Sequence, residues 1–284
     1  MTTTAATPSR TRSVLAKVPE ISLVFWALKL LTTGMGEAMS DGLGQKSVPL
    51  AAAVGLFGFA FAMWLQLRQT EYRAPVYWFA VMMVAIFGTM AADGIHDGAG
   101  IPYTVTTPVF AAFTGLVFWR WYRAEGTLDF HAITSKRRER YYWLAVLGTF
   151  ALGTAAGDLT AYSLNWGFWP SALLFAAIFA VPAVGWYRYS WNPIVAFWFA
   201  YVLTRPLGAS FADGFSKPTS GGLNLGDPLV SFVELGIFIA AVAWVTVKKI
   251  DVQPPHELVP HAHPREHPHP RVAHEAPRLG FETD

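Results

Sequence analysis

The sequence predicts an all-α polytopic membrane protein: eight transmembrane helices arranged as four parallel helix-pair repeats, with the N and C termini cytoplasmic. Three observations carry that expectation. Of 284 residues, 53% are hydrophobic and only 14% charged, whereas a soluble domain carries about 25% charged residues. The apolar residues gather into eight runs, most close to the ~20 residues that cross a hydrocarbon core of ~30 Å. A six-residue pattern ending in an acid recurs four times, once in every second run.

Taken in order, residues 1–17 form a tail bearing Arg10, Arg12 and Lys17, read as cytoplasmic. Repeat 1 (18–68) holds runs 21–42 and 48–67, and repeat 2 (75–123) holds 75–94 and 103–122. Repeat 3 (140–188) holds 141–162 and 168–187, and repeat 4 (190–249) holds 191–213 and 229–247. The first run follows basic residues, extends past the apolar core of a signal peptide and lacks a small-residue cleavage site, so it reads as a retained helix. Residues 250–284, with seven prolines and six histidines, read as a disordered cytoplasmic tail.

Orientation follows from charge. Of 21 Lys and Arg, Lys46 and Lys217 lie in odd-to-even loops and Lys29 and Arg205 in spans. The remaining 17 fall in the tails, the even-to-odd loops or the helix ends beside them. By the positive-inside rule that side is cytoplasmic. Absence of cysteine excludes disulfides, thiolate metal sites and cysteine nucleophiles, and a net charge of +2 gives no reason to expect nucleic acid.

The repeated pattern is Thr32-Thr-Gly-Met-Gly-Glu37, Gly88-Thr-Met-Ala-Ala-Asp93, Gly153-Thr-Ala-Ala-Gly-Asp158 and Gly208-Ala-Ser-Phe-Ala-Asp213. Small residues four apart let helix backbones approach closely in lipid. In three copies a tryptophan (Trp78, Trp143, Trp198) precedes the acid by 15 residues, ~22 Å along a helix, which predicts an anchor at the opposite interface. Even helices end in further aromatic and basic residues, at 64–68, 119–123, 186–188 and 244–249.

With the Lys17-Val-Pro-Glu20 opening, the Gly-Glu37 and Gly-Asp158 motifs and the repeat count in hand, the chain resembles, over about residues 18–249, a bacterial family of membrane-anchored proteins. That family is built from four tandem two-helix repeats of unknown function, each with a characteristic tryptophan. The resemblance implies architecture and a bacterial cytoplasmic (inner) membrane, and no activity. Repeat 1 departs from it, with Ser22 where the tryptophan falls and Trp26 nearby.

Candidate site residues follow from the cost of charge in lipid. Glu37, Asp93, Asp158 and Asp213 recur at one depth, where an ionised carboxylate costs up to ~3 kcal/mol. If the small faces draw the odd helices together, these acids line one cavity and offer oxygen ligands to a divalent cation or to protons. Asp41 and Glu234 join them by position. Asp93, His96 and Asp97 have i, i+3, i+4 spacing, a trio suited to Mn, Fe or Zn on a continuous helix, against the bland alternative of a wet glycine-rich loop. Lys29 and Arg205 each lie eight residues before an acid, near midplane, and each calls for a carboxylate partner, as a gate or as a static ion pair. Pro206 predicts a kink beside Arg205. In the tail, His256, His261, His263, His267, His269 and His274 are candidate ligands for cytosolic Zn, Ni or Cu, against incidental low complexity.

These features favour a transporter of an inorganic cation, such as a divalent transition metal, along a carboxylate-lined path with proton exchange. The metal is then a substrate and no cofactor is assigned. A membrane scaffold or metal or pH sensor without transport stays open. A membrane-embedded enzyme is disfavoured, because no nucleophile elbow, phosphate loop or zinc-protease signature is present and no catalytic residue is assigned. The expected partners are the lipid bilayer, a metal ion or proton and, left open, further copies of the chain.

Overall fold

Each helix begins and ends where its flanking residues dictate. Ser22 accepts a hydrogen bond from Phe25 N and starts α1 (Leu23–Lys46). Ser47 closes α1 and caps α2 (Val48–Arg68), whose early proline suits a helix start. Pro75 opens α3 (Ala74–Asp93), which widens into a π-turn over Gly94–Gly98. Next comes α4 (Tyr103–Glu125), stopped by Gly126 in the left-handed region at φ 71°. Ser135 caps α5 (Lys136–Asp158), which also widens into a π-turn, Leu159–Ser163. Then come α6 (Phe168–Tyr189), α7 (Pro193–Ser216), whose Asn192 cap accepts from Ile194 N and Val195 N, and α8 (Asp227–Lys248). This computed structural model describes residues 13–14, 16–253 and 256–257, and outside the helices it has a short 3₁₀ turn, Phe130–Ala132, and two-residue extended pieces at Ser13–Val14 and His256–Glu257.

Among the described residues, six helices (α2, α3 and α5 with their π-turns, α6, α7 and α8) are long and apolar enough to cross a membrane by length and composition. The charges on α1 (Lys29, Glu37, Asp41, Lys46) and the polar residues of α4 keep those two out of that group.

The odd helices form the inner ring. Going round, α1 packs on α3, α3 on α5, α5 on α7, and α7 returns to α1. The repeated small residues make these contacts. A Cβ on Gly88 of α3 would lie 2.9 Å from the Phe150 Cβ of α5, and one on Gly153 of α5 would lie 2.9 Å from the Pro206 Cδ of α7. One on Gly208 of α7 would lie 2.8 Å from the Thr33 Cβ of α1. Side chains there would hold the backbones apart.

Even helices stand outside, each chiefly against the odd helix that follows it: α2 on α3, α4 on α5, α6 on α7, and α8 back on α1. Sequence repetition pairs α1 with α2, yet the packing pairs are offset by one helix, because a sequence period sets the length of a unit and not the neighbour it packs on. The outer faces carry Phe57, Phe61, Val109, Phe113, Leu173 and Phe232, all exposed, as befits a surface solvated by lipid.

The tryptophan expectation needs correction. Trp78, Trp143 and Trp198 are at most 5% exposed and lie in the core with Phe25, Tyr77, Tyr142 and Tyr201, closing that end of the ring. Fifteen residues before the acid sets their depth correctly, but they ride on inner helices, so the ring turns them inward. Trp198 Nε1 donates to the Leu128 carbonyl at 2.9 Å. The tryptophans near the ends of the even helices, Trp64, Trp119, Trp186 and Trp244, are exposed.

A strap formed by residues 16–20 closes the same end. Lys17 N donates to Ile133 O (3.1 Å), Glu20 N to Asp251 O (2.8 Å) and Gln253 Nε2 to Pro19 O (3.0 Å), while Tyr72 N donates to Ala16 O (3.1 Å). Lys17 Nζ pairs with buried Glu139 at 2.6 Å, which also accepts from Gln66. Burial and a hydrogen bond to Asp251 push the Tyr72 phenol above its ordinary pKa. Asp251 (1% exposed) and Gln253 (6%) thus belong to the folded part, and the expected tail boundary at 250 moves to at least 253. The backbone of His256 lies in a two-residue extended piece. The other tail histidines, His261, His263, His267, His269 and His274, lie outside the described residues.

Candidate functional site

At the opposite end of the ring the acids converge. Because α1 runs on to Lys46 and α7 to Ser216, Glu37, Asp41 and Asp213 sit inside helices rather than at their ends. One carboxylate oxygen from each lies within 4.8 Å of the others. Glu37 and Asp213 are 2% and 3% exposed, and Asp213 Oδ1 has no hydrogen-bond partner among the described residues. Asp93 and Asp158 hold the same place in the repeated pattern on α3 and α5, Asp158 being 5% exposed. Both stand where α-helix gives way to a π-turn, a distortion frequent at functional sites.

One turn deeper, Arg205 ties the ring together from α7. Its guanidinium ion-pairs with Glu37 and donates to Thr33 O (2.8 Å) of α1, to the Thr89 hydroxyl of α3 and to the Thr154 hydroxyl of α5 (2.9 Å). All four inner helices therefore contribute to one buried polar centre. The two threonine hydroxyls were legible: the second position of the repeated pattern is Thr33, Thr89, Thr154 and then Ala209. Threonine is replaced by alanine only in the copy that brings the arginine.

Among the described residues Lys29 has no carboxylate partner, contrary to expectation. Its ammonium lies 3.9 Å from the centre of the Phe150 ring and 4.4 Å from that of Tyr201, with no hydrogen bond. The reason is its level: eight residues before the acid on the other inner helices stand Ala85, Phe150 and Arg205, and Glu37 is already taken by Arg205. Aromatic faces give the cation its attraction instead.

Asp93, His96 and Asp97 do not form a three-ligand group among the described residues, although His96 Nε2 lies 4.0 Å from Asp97 Oδ1. In the π-turn the i, i+3, i+4 face is lost. Asp97 is 79% exposed at its side chain, and His96 Nδ1 pairs with the Ile101 carbonyl at 2.9 Å while its ring stacks on Tyr103. Glu234 reaches α1, its Oε1 2.7 Å from where a Cβ on Gly34 would lie, and its buried Oε2 lacks a partner.

Two residues outside the expected set complete the cluster. Lys217 Nζ, just past α7, bonds Asp41 Oδ2 at 2.5 Å and Asp227 Oδ2 at 2.9 Å. Asp227, 3% exposed at the start of α8, also accepts from Gln45. Burial lowers the Lys217 pKa, but the Asp41 and Asp213 charges and the hydrogen bonds outweigh it and hold the ammonium above its usual value. Chemically, the arrangement is a set of hard oxygen donors in excess over cations, fit to take up metal ions or protons.

Residues 76–127, 141–191 and 196–251 match the Repeat of Unknown Function (DUF347), together more than half of the chain. The chain belongs to this family. The three matched DUF347 repeats coincide with α3–α4, α5–α6 and α7–α8, and each carries one acid of the repeated pattern, Asp93, Asp158 and Asp213, of which Asp213 belongs to the three-acid group. The copy formed by α1 and α2, which supplies Glu37 and Asp41, lies outside the matched segments and takes the fourth place in the ring. Comparison with curated proteins and with solved structures finds no match.

Proposed function

We propose that this DUF347 protein carries an inorganic cation, such as a divalent transition metal, across a bacterial cytoplasmic membrane, with all eight helices spanning and both termini cytoplasmic. The observation that carries the proposal is the meeting of Glu37, Asp41 and Asp213 oxygens within 4.8 Å inside a ring of helices. Buried carboxylates so close are costly unless a cation or proton compensates them. Asp93 and Asp158 stand at the matching pattern position on the other two inner helices.

In this scheme the carboxylates exchange protons for the cation, and Arg205 sets their charge balance from below. The packed layer of Phe25, Tyr77, Trp78, Tyr142 and Tyr201 seals the cluster from the strap end, so transport requires that layer to part. The two π-turns and the small-residue contacts are where the inner helices have freedom to shift.

The test is uptake into proteoliposomes, screening Mn, Zn, Ni, Co, Mg and protons with wild type beside Asp158→Asn and Asp213→Asn. Saturable flux in wild type, lost in both variants, is the expected result. No flux for any ion from folded protein under a verified gradient overturns the proposal. Single cysteines placed in each loop of this cysteine-free chain report the eight-span topology by side-specific labelling.

A further inference from the structure

Lys217 stands at the place equivalent to Asp41 in repeat 1, four residues past the repeated acid. Its backbone is fixed: Lys217 N donates to Asp213 O (2.9 Å), and the chain beyond it is stitched to the end of α7 by Leu223 N to Gly214 O (2.8 Å) and Leu225 N to Phe215 O (3.0 Å). Its side chain, 13% exposed, is the part that meets the acids. The ammonium is shared between two carboxylates of different character. Asp41 belongs to the three-acid group. Asp227 lies outside that group, is 3% exposed, and keeps one oxygen, Oδ1, without a partner. A buried carboxylate oxygen with nothing bound is unfavourable, and it leaves Asp227 able to accept more from Lys217. Asp213 Oδ1, inside the group, is unpartnered as well.

We infer that Lys217 is a tethered competitor for the cation site: its ammonium holds Asp41 until an incoming cation takes that carboxylate, whereupon Lys217 passes wholly to Asp227. No bond is made or broken beyond the exchange of ion pairs. The inference rests on the cation-site reading above and adds what sets its affinity. A purely structural pairing would need only one acid. Here the lysine neutralises the one member of the triad that it can release without losing its own partner. A divalent cation benefits from the exchange most, since it gains Asp41 while Lys217 retreats. A monovalent cation gains little by replacing an ammonium of the same charge.

The test uses the full chain in detergent, titrated with Mn²⁺ alone, free Mn²⁺ being read by electron paramagnetic resonance. Lys217→Gln removes the competitor and is expected to bind about tenfold tighter, because a unit charge within a few ångströms of a divalent cation is worth at least that at interior dielectric. Asp227→Asn leaves Lys217 with Asp41 alone and is expected to bind about tenfold weaker. Lys217→Arg, keeping the charge, stays within about threefold of wild type. The opposite signs separate competition from loss of structure, which would weaken all variants alike. Wild-type binding with Lys217→Gln unchanged or weaker overturns the tethered competitor and leaves the cation site standing. Should Lys217→Gln not fold, tighter or unchanged binding by Asp227→Asn overturns it equally. Absence of Mn²⁺ binding in every folded variant, wild type included, overturns both.

Discussion

Replacing Arg205 by Met tests whether one guanidinium holds the inner ring. Arg205 is 1% exposed, and its partner Glu37 is 2% exposed. Truncation leaves the Glu37 charge buried without its counter-ion, and breaking such a pair costs about 3–5 kcal/mol. The threonines suffer less, because Thr89 also donates to Ala85 O (3.0 Å) and Thr154 to Phe150 O (3.2 Å). Glu37→Gln likewise strands the Arg205 charge. In the double variant, Arg205→Met with Glu37→Gln, no charge is stranded, and the remaining loss is the bond to Thr33 O plus packing, about 1–2 kcal/mol. The double variant should therefore be more stable than Arg205→Met alone and, with each single loss at about 3–5 kcal/mol, the coupling energy should be at least about 4 kcal/mol. Equilibrium unfolding in mixed micelles, followed by tryptophan fluorescence, measures the cycle. A loss below about 1 kcal/mol in Arg205→Met, or additive losses in the double variant, refutes the keystone role.

Gly88→Leu should destabilise by about 1–3 kcal/mol or more in the same assay, since its Cβ would lie 2.9 Å from the Phe150 Cβ, whereas Gly115→Leu, with open space around it, should be nearly silent. Tyr72→Phe removes the hydrogen bond to buried Asp251 and should cost about 1.5–3 kcal/mol and loosen the strap, read as faster amide exchange at Glu20 and Asp251. Lys217 has a raised pKa. Its stabilising contribution is thus fully present below the unfolded lysine value of about 10.4 and is lost as pH climbs through the folded value. The melting-temperature gap between wild type and Lys217→Met should stay constant from about pH 7 to 9 and shrink above about pH 10. A gap that widens there contradicts the assigned ion pairs.

Helix positions were legible because apolar runs and caps are local: run 168–187 became Phe168–Tyr189, and 229–247 became Asp227–Lys248. The four acids were legible because a repeated charge in an apolar run is costly wherever it sits. Lys217 and Asp227 were not site candidates because each stands in a polar loop or helix start, where a charge needs no explanation until the fold buries it. His96 and Asp97 looked like ligands because their spacing assumes an α-helix, and a π-turn removes that register.

The sequence by itself therefore determined an all-helical, membrane-type chain of repeated helix pairs with acids at one level, since hydropathy, capping and period are properties of a single strand of text. Which helix meets which was decided only in three dimensions: the odd helices inside, each even helix on its successor, Trp78, Trp143 and Trp198 turned to the core, Lys29 over aromatic rings and Arg205 across four helices. The physical reason is that depth along a helix follows from counting residues. The direction a side chain faces is set by the closest approach of glycine-bearing surfaces, and by the need of each buried charge for whatever partner that packing brings within reach.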